Sequence, residues 1–334
     1  MPAFRDPSRT PLEETALSAA TLASSDAPER TSLFVDGRFP RRRLLVLLLS
    51  LIGGLFLTYG WKASTADDAI GFNTANALLG HDAHRTPIAG VGAGILFAFV
   101  TGLAGSFTAC NVAVFGAVGP LVGRAASRRE KLRAAAAPLG WLALGMIPVS
   151  AAYGAVVGIV GTRMPQYSTA PAKGISPRTA QSMITFGSIG LIMLLLGLAA
   201  LGLIPDPLAA VSRRFPHAPL ILMGALVGAF LIGRPYPLFR DMFRHAAGTH
   251  NPFYGALAFS LQSIGNIIAM SVLFLLLSWG LGGRVQRWLA ARPGRTAIVT
   301  GAAFVTAGMF MLGYWELRVL GRLGYLWFPT APWA

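Results

Sequence analysis

The sequence predicts an all-α polytopic membrane protein of about seven transmembrane helices. One N-terminal helix precedes an inverted three-plus-three repeat whose first helices are broken. Three observations predict this. Long apolar runs recur along the chain, beginning with Leu44–Trp61, directly after Arg41, Arg42 and Arg43. The loops between runs alternate between strongly basic and weakly basic. Two runs are too long for one crossing, and both contain helix breakers. About 18 to 20 apolar residues cross a hydrocarbon core of ~30 Å, and in lipid a backbone that satisfies its own hydrogen bonds is helical.

Composition agrees. The chain of 334 residues is 54% hydrophobic and 12% charged, against about 25% charged in soluble domains. The net charge of +15 does not mark a nucleic-acid binder, because the basic residues gather at the ends of apolar runs. There they set membrane orientation, so the partner they imply is the lipid bilayer. The single cysteine, Cys110, excludes an intrachain disulfide.

Residues 1–40 hold six of the 13 acidic residues and no sustained apolar period, and are read as a disordered cytoplasmic tail. Residues 41–86 supply the extra helix and an external loop. The spans are then 44–61, 87–123, 138–161, 183–204, 217–247, 252–280 and 296–319. The segment 124–137 carries Arg124, Arg128, Arg129, Lys131 and Arg133; 205–216 carries Arg213 and Arg214; 281–295 carries Arg284, Arg287, Arg292 and Arg295. The intervening loops 62–86 and 162–182 are less basic. The positive-inside rule then places the N-terminus in the cytoplasm and the C-terminus outside a plasma (inner) membrane. The tail 321–334 contains Tyr325, Trp327 and Trp333, which suit the outer interface. Glu316 and Arg318 mark the end of the last span.

The run 87–123 would be about 55 Å long as one straight helix, and it contains Gly102, Gly105, Gly116, Gly119 and Pro120. The run 217–247 is interrupted by Gly233-Arg234-Pro235-Tyr236-Pro237, and two prolines two apart cannot continue a regular helix. Ala98-Phe99-Val100-Thr101-Gly102 also resembles Ala229-Phe230-Leu231-Ile232-Gly233. Each motif opens a group of three spans, in 87–205 and 206–320. Three crossings per unit invert the second unit relative to the first. Paired interrupted segments point to a transporter-like site between the halves.

This pattern resembles the CcdA/DsbD transmembrane family of thiol-redox proteins and, more loosely, the LysE superfamily. Gly105-Ser106-Phe107-Thr108-Ala109-Cys110 resembles the first Pro-Cys element, and Gly233-Arg234-Pro235-Tyr236-Pro237 the second. The resemblance implies two inverted three-helix repeats and transfer of reducing equivalents to extracytoplasmic thiols, often in cytochrome c maturation. It also implies a thioredoxin-like or cytochrome-assembly partner. Here Ala109 replaces the first proline and no second cysteine is present. A dithiol shuttle needs two sulfurs, so any thiol chemistry of Cys110 is intermolecular.

Three groups of residues are candidates for chemistry. Cys110 is a redox thiol or a small buried hydrophobe. Arg234, Arg240, Asp241 and Arg244 form an anion site beside the broken helix, or the solvated face of an interfacial half-helix. Gln262 and Asn266, four apart with Ser260 and Ser263 nearby, line a solute path or bind helices together. His81, His84, His245 and His250 complete no metal motif, and no Walker loop, Gly-x-Ser-x-Gly or haem-attachment pair occurs. No cofactor is expected. The function classes left open are a thiol-redox membrane protein or redox-inactive scaffold, a secondary transporter of a small solute or ion, and a non-catalytic assembly subunit.

Overall fold

The structure is a computed structural model that describes residues 32–35, 37–62, 65, 71–83, 85–105, 128–167, 174–233, 237–280, 284, 288–289, 291–292 and 294–333. All regular structure among these is helical. Five helices are long and apolar enough to cross a membrane, or six if one bent pair counts as a single span. The chain is therefore built as a multi-pass membrane protein.

The principal helices are α1 (Arg43–Gly60), α2 (Asn73–Leu79), α3 (Gly90–Ala104), α4 (Arg128–Val160), α5 (Pro177–Ala200), α6 (Ala209–Arg214), α7 (Ala218–Gly233), α8 (Pro237–Gly248), α9 (Pro252–Gly280) and α10 (Arg295–Leu312). A π-helical segment, Gly313–Arg318, and a short α11, Val319–Arg322, continue α10. Helix α4 starts inside the basic segment expected to be a loop. Its first residues, Arg-Arg-Glu-Lys-Leu-Arg followed by four alanines, are strong helix formers, so they extend the span toward solvent. The described part of the run 87–123 is α3, only 15 residues long, and residues 106–127 lie outside the described residues.

Packing follows a simple order. Helix α1 lies on α10, α10 on α5, α5 on α7, α7 on α4, α4 on α9, and α9 on α3. Lipid tails offer no hydrophobic drive between helices, so close approach through small residues has to supply the contact. In α1 the buried residues are Ser50, Gly54 and Thr58, one small residue per turn. Leu48, Leu49, Ile52 and Phe56 on its other faces are exposed, as a lipid-facing surface requires. The Thr306 hydroxyl of α10 donates to the Ser50 carbonyl at 3.2 Å.

The tightest crossings are glycine on backbone. A Cβ on Gly102 of α3 would overlap the Gln262 carbonyl of α9, and one on Gly265 of α9 would overlap the Phe99 carbonyl of α3. A Cβ on Gly224 of α7 would overlap the Leu142 carbonyl of α4, and one on Gly145 of α4 would overlap the Ile221 carbonyl of α7. Where α4 crosses α9, Gly154 and Gly255 each meet the other's carbonyl. Where α5 crosses α10, a Cβ on Gly190 would stand 3.0 Å from the Gly308 carbonyl and one on Gly197 3.1 Å from the Gly301 carbonyl.

Basic segments collect at one end of the bundle. Arg43 donates to the Gly202 carbonyl at 2.8 Å, Phe39 covers Gly202, and Gly294 lies beside Arg38 and Phe39. Phe34, within the stretch read from sequence as a tail, is buried and meets Phe304 edge-on at 5.2 Å. At the opposite end Arg318 is buried. It donates to the carbonyls of Thr58 at 3.1 Å and Trp61 at 2.7 Å, and its guanidinium sits 5.1 Å from the Tyr314 ring centre. Arg318 therefore caps the C-terminus of α1 instead of reaching for the membrane surface. Tyr325, Trp327 and Trp333 at this end are exposed, where amphipathic rings favour the headgroup level.

These crossings make a direct test. Gly102→Val and Gly224→Val should each destabilise the protein by about 1–3 kcal/mol, the usual cost of overpacking. Gly92→Ala and Gly140→Ala, whose added Cβ meets nothing within 4 Å, should have little effect. Thermal unfolding in detergent reads the difference.

Candidate functional site at the helix break

The break between α7 and α8 is built from the local sequence. Helix α7 ends at Gly233, α8 begins at Pro237, and their axes differ by 80°. Proline is pre-organised for the first position of a helix and lacks only an N–H that would have no partner there. Ending α7 frees carbonyls that in a membrane need other donors. Three side chains supply them. Gln166 donates to the Ile232 carbonyl, Gln181 donates to the same carbonyl at 2.8 Å, and Ser182 donates to the Gly233 carbonyl at 2.7 Å. Gln181 lies 3.1 Å from the Tyr153 hydroxyl. The edge of Phe186 covers Gly233 so closely that a Cβ there would lie 2.7 Å from the ring.

Helix α8 is amphipathic. Leu238, Phe239, Met242, Phe243, Ala246 and Ala247 are buried, a stripe at helical spacing. They join Phe97, Tyr153 and Phe259 in one apolar cluster. Arg240 and Asp241, both half-buried, occupy the other face. Arg178, at the start of α5, and Arg244 repel Arg240, and Asp241 offsets them. Arg244 donates to the Tyr167 carbonyl at 3.4 Å and lies 5.6 Å from that ring's centre. This face is a cationic surface beside the break, held by contacts within the protein.

The second part of the site lies where α3, α4 and α9 meet. Gln262, Ser263 and Asn266 are buried. The Ser263 hydroxyl donates to the Ser150 hydroxyl at 2.6 Å, and Thr101 returns its hydroxyl to the Phe97 carbonyl at 2.8 Å. Gln262 is different, because neither its amide nitrogen nor its amide oxygen has a hydrogen-bond partner. Leaving a buried polar group without a partner costs about 1–3 kcal/mol, so a fully buried carboxamide is a poor choice for packing alone. The two parts adjoin. Phe259, one turn before Gln262, packs against Phe239 at 5.6 Å and Tyr153 at 5.5 Å, and Tyr153 touches Gln181.

The structure thus brings Gly102, Gln262 and Asn266 together, and sets Gly233, Pro237, Arg240 and Asp241 around the neighbouring break. Cys110, Arg234, Pro235 and Tyr236 lie outside the described residues. Gln166, Gln181, Ser182, Tyr153 and Ser150 were not foreseen. Gln166, Gln181 and Ser182 fall in the polar stretch before the expected start of a span at 183, where polar residues carry no signal. Among the described residues no three His, Cys, Asp or Glu side chains converge on a metal position. Comparison of the chain with protein-family models, curated proteins and solved structures finds no match.

The capping account has a measurable consequence. Gln166→Ala and Gln181→Ala combined with Ser182→Ala strip the donors from two freed carbonyls and should lower stability by about 1–3 kcal/mol per orphaned group. Ser260→Ala should cost much less, since Ser260 bonds only the Ala256 carbonyl of its own helix. Unfolding midpoints of the two variants in the same detergent provide the check.

Proposed function

We propose that this protein is a membrane carrier for a small, net-neutral polar solute, built on an inverted three-plus-three scaffold of the CcdA/DsbD type. The observation that carries the reading is Gln262, a fully buried carboxamide with unpartnered donor and acceptor at the crossing of α3 and α9. Gln262, Asn266, Ser150 and Ser263 offer donors and acceptors without formal charge, which suits hydrogen-bonding solutes over bare ions. A broken helix close by is the usual companion of such a site in transporters.

Reciprocal glycine contacts support the scaffold. Gly102 rests on Gln262 as Gly224 rests on Leu142, and Gly265 rests on Phe99 as Gly145 rests on Ile221. In this register α3, α4 and α5 correspond to α7, α9 and α10. Gly102 pairs with Gly224, not with Gly233 as the five-residue sequence match suggests. The equivalents of Gln262 and Asn266 are Leu142 and Met146, which line a small crevice with Gly224, Val227 and Met270. One half of the scaffold is polar where the other is apolar, and symmetric packing needs no such difference. The basic end, with Arg43, Arg213 and Arg292, is the cytoplasmic side in this reading.

A thiol role is the second reading, and one feature of the register favours it. Counted along the chain from Gly102 as Ile232 is from Gly224, Cys110 has Ile232 as its counterpart in the proposed repeat, and in sequence it corresponds to the position where the resembling family carries its cysteine. It would act through a mixed disulfide with a thioredoxin-like partner.

Reconstituted vesicles separate the two. In osmotic reswelling with urea, glycerol or glycine, the wild type should pass at least one solute faster than empty vesicles. Gln262→Leu should abolish that flux while remaining as stable as the wild type or more so, because Leu is what the equivalent position holds. Cys110→Ser should keep the flux. A flux untouched by Gln262→Leu, with a mixed disulfide trapped on Cys110, would replace the carrier reading with the thiol one.

A further inference from the structure

Glu316 is an acidic residue in a segment long and apolar enough to cross the membrane, and neither part of the site uses it. It sits in the π-helical segment that follows α10. Such interruptions of α-helical pitch occur often at functional positions. Its carboxylate lies against Gly187 of α5, where a Cβ would stand 3.3 Å from Cδ of Glu316. Gly187 is ten residues inside α5, about 15 Å from that helix's start. No cation forms an ion pair with Glu316 among the described residues. The titratable and charged groups on its own segment are Tyr314, Arg318 and Arg322; of the helices packed against that segment, α5 carries Arg178 near its start and α1 carries Tyr59, with Lys62 just beyond its end. Arg318 is turned instead onto the Thr58 and Trp61 carbonyls.

The residues beside Glu316 lead to the break. Trp315 stacks on Phe186 with ring centres 4.4 Å apart. The other edge of Phe186 covers Gly233, and Ser182, one turn earlier on α5, holds the Gly233 carbonyl at 2.7 Å. A displacement of the π-helical segment therefore reaches the end of α7 through one aromatic stack.

We propose that Glu316 is a proton-binding site that couples proton uptake to the packing of Phe186 over Gly233 at the end of α7. A proton from water adds to a carboxylate oxygen and forms one O–H bond. The neutral acid then rests against Gly187, Trp315 stays on Phe186, and Phe186 seals Gly233. Loss of the proton restores a carboxylate, which an apolar surround disfavours. The charged side chain turns toward water, draws Trp315 off Phe186 and uncovers Gly233. The inference rests on the carrier reading only for what such coupling would drive.

Protein reconstituted in nanodiscs without any solute tests it. Infrared difference spectra across pH steps should contain a carboxyl C=O band that titrates and is lost in Glu316→Gln. Amide exchange at residues 229–233, corrected for its chemical pH dependence, should change by up to about tenfold per pH unit through the same titration, as linkage to one proton requires. In Glu316→Gln that exchange should be slow and independent of pH. Phe186→Leu should keep the infrared band but remove the pH dependence at 229–233, so the coupling remains testable if the Gln variant folds poorly. No titrating band from Glu316, or a band that titrates while exchange at the break stays constant, would overturn the proposal. Failure of the carrier reading would leave both readouts intact, since neither uses a solute.

Discussion

The bundle depends on backbone-to-backbone contact through glycine. Side chains of membrane helices gain little by leaving lipid for protein, so association needs close approach and directional contacts. Gly102, Gly145, Gly224 and Gly265 let α3 reach α9 and α7 reach α4, while Gly154 and Gly255 let α4 cross α9. Each crossing brings main-chain carbonyls of one helix where a side chain of the other would stand. A Cβ at any of these positions would push the helices apart and, with them, the polar groups they bring together.

That closeness determines what the interior can hold. Ser150 and Ser263 meet only because α4 and α9 are in contact, and Gln262 is sealed from solvent because α3 lies directly on its backbone. The break between α7 and α8 follows the same logic. Pro237 allows a new helix to start at a steep angle, and Gln166, Gln181 and Ser182 replace the hydrogen bonds that the bend removes. Irregular backbone of this kind is tolerated at membrane depth where protein covers it, and here α5 and the segment before it provide the cover. The break thus adjoins the buried carboxamide: Gln181 reaches Tyr153, and Tyr153 packs on Phe259, one turn before Gln262.

The all-helical, multi-pass class was legible in the sequence, because apolar length reports directly on membrane crossing. The Gly233–Pro237 interruption was legible for a local reason, the loss of helix geometry at proline. Gln262 and Asn266 stood out as polar residues four apart in an apolar run. Other features depend on neighbours distant in the chain. Arg318 at the end of a span reads as an interfacial anchor until α1 is seen to end beside it. Gln181 reads as loop until its amide is found on the Ile232 carbonyl. The early start of α4 was hidden because charge suggested a loop where helix propensity favoured a helix. The glycine crossings were not legible at all, since residue identity says nothing about which backbone a glycine touches.

The central claim is that α4 and α9 cross in contact, with polar groups sealed between them. Ser150 and Ser263 test it most directly, because their hydroxyl oxygens lie 2.6 Å apart in the buried interior. Cysteines at both positions in a Cys110→Ser background, treated with a mild oxidant, should form an intramolecular disulfide, identified by mass spectrometry of the linked peptides. Two free thiols after oxidation, in protein that remains folded, would contradict the crossing and the buried site built on it.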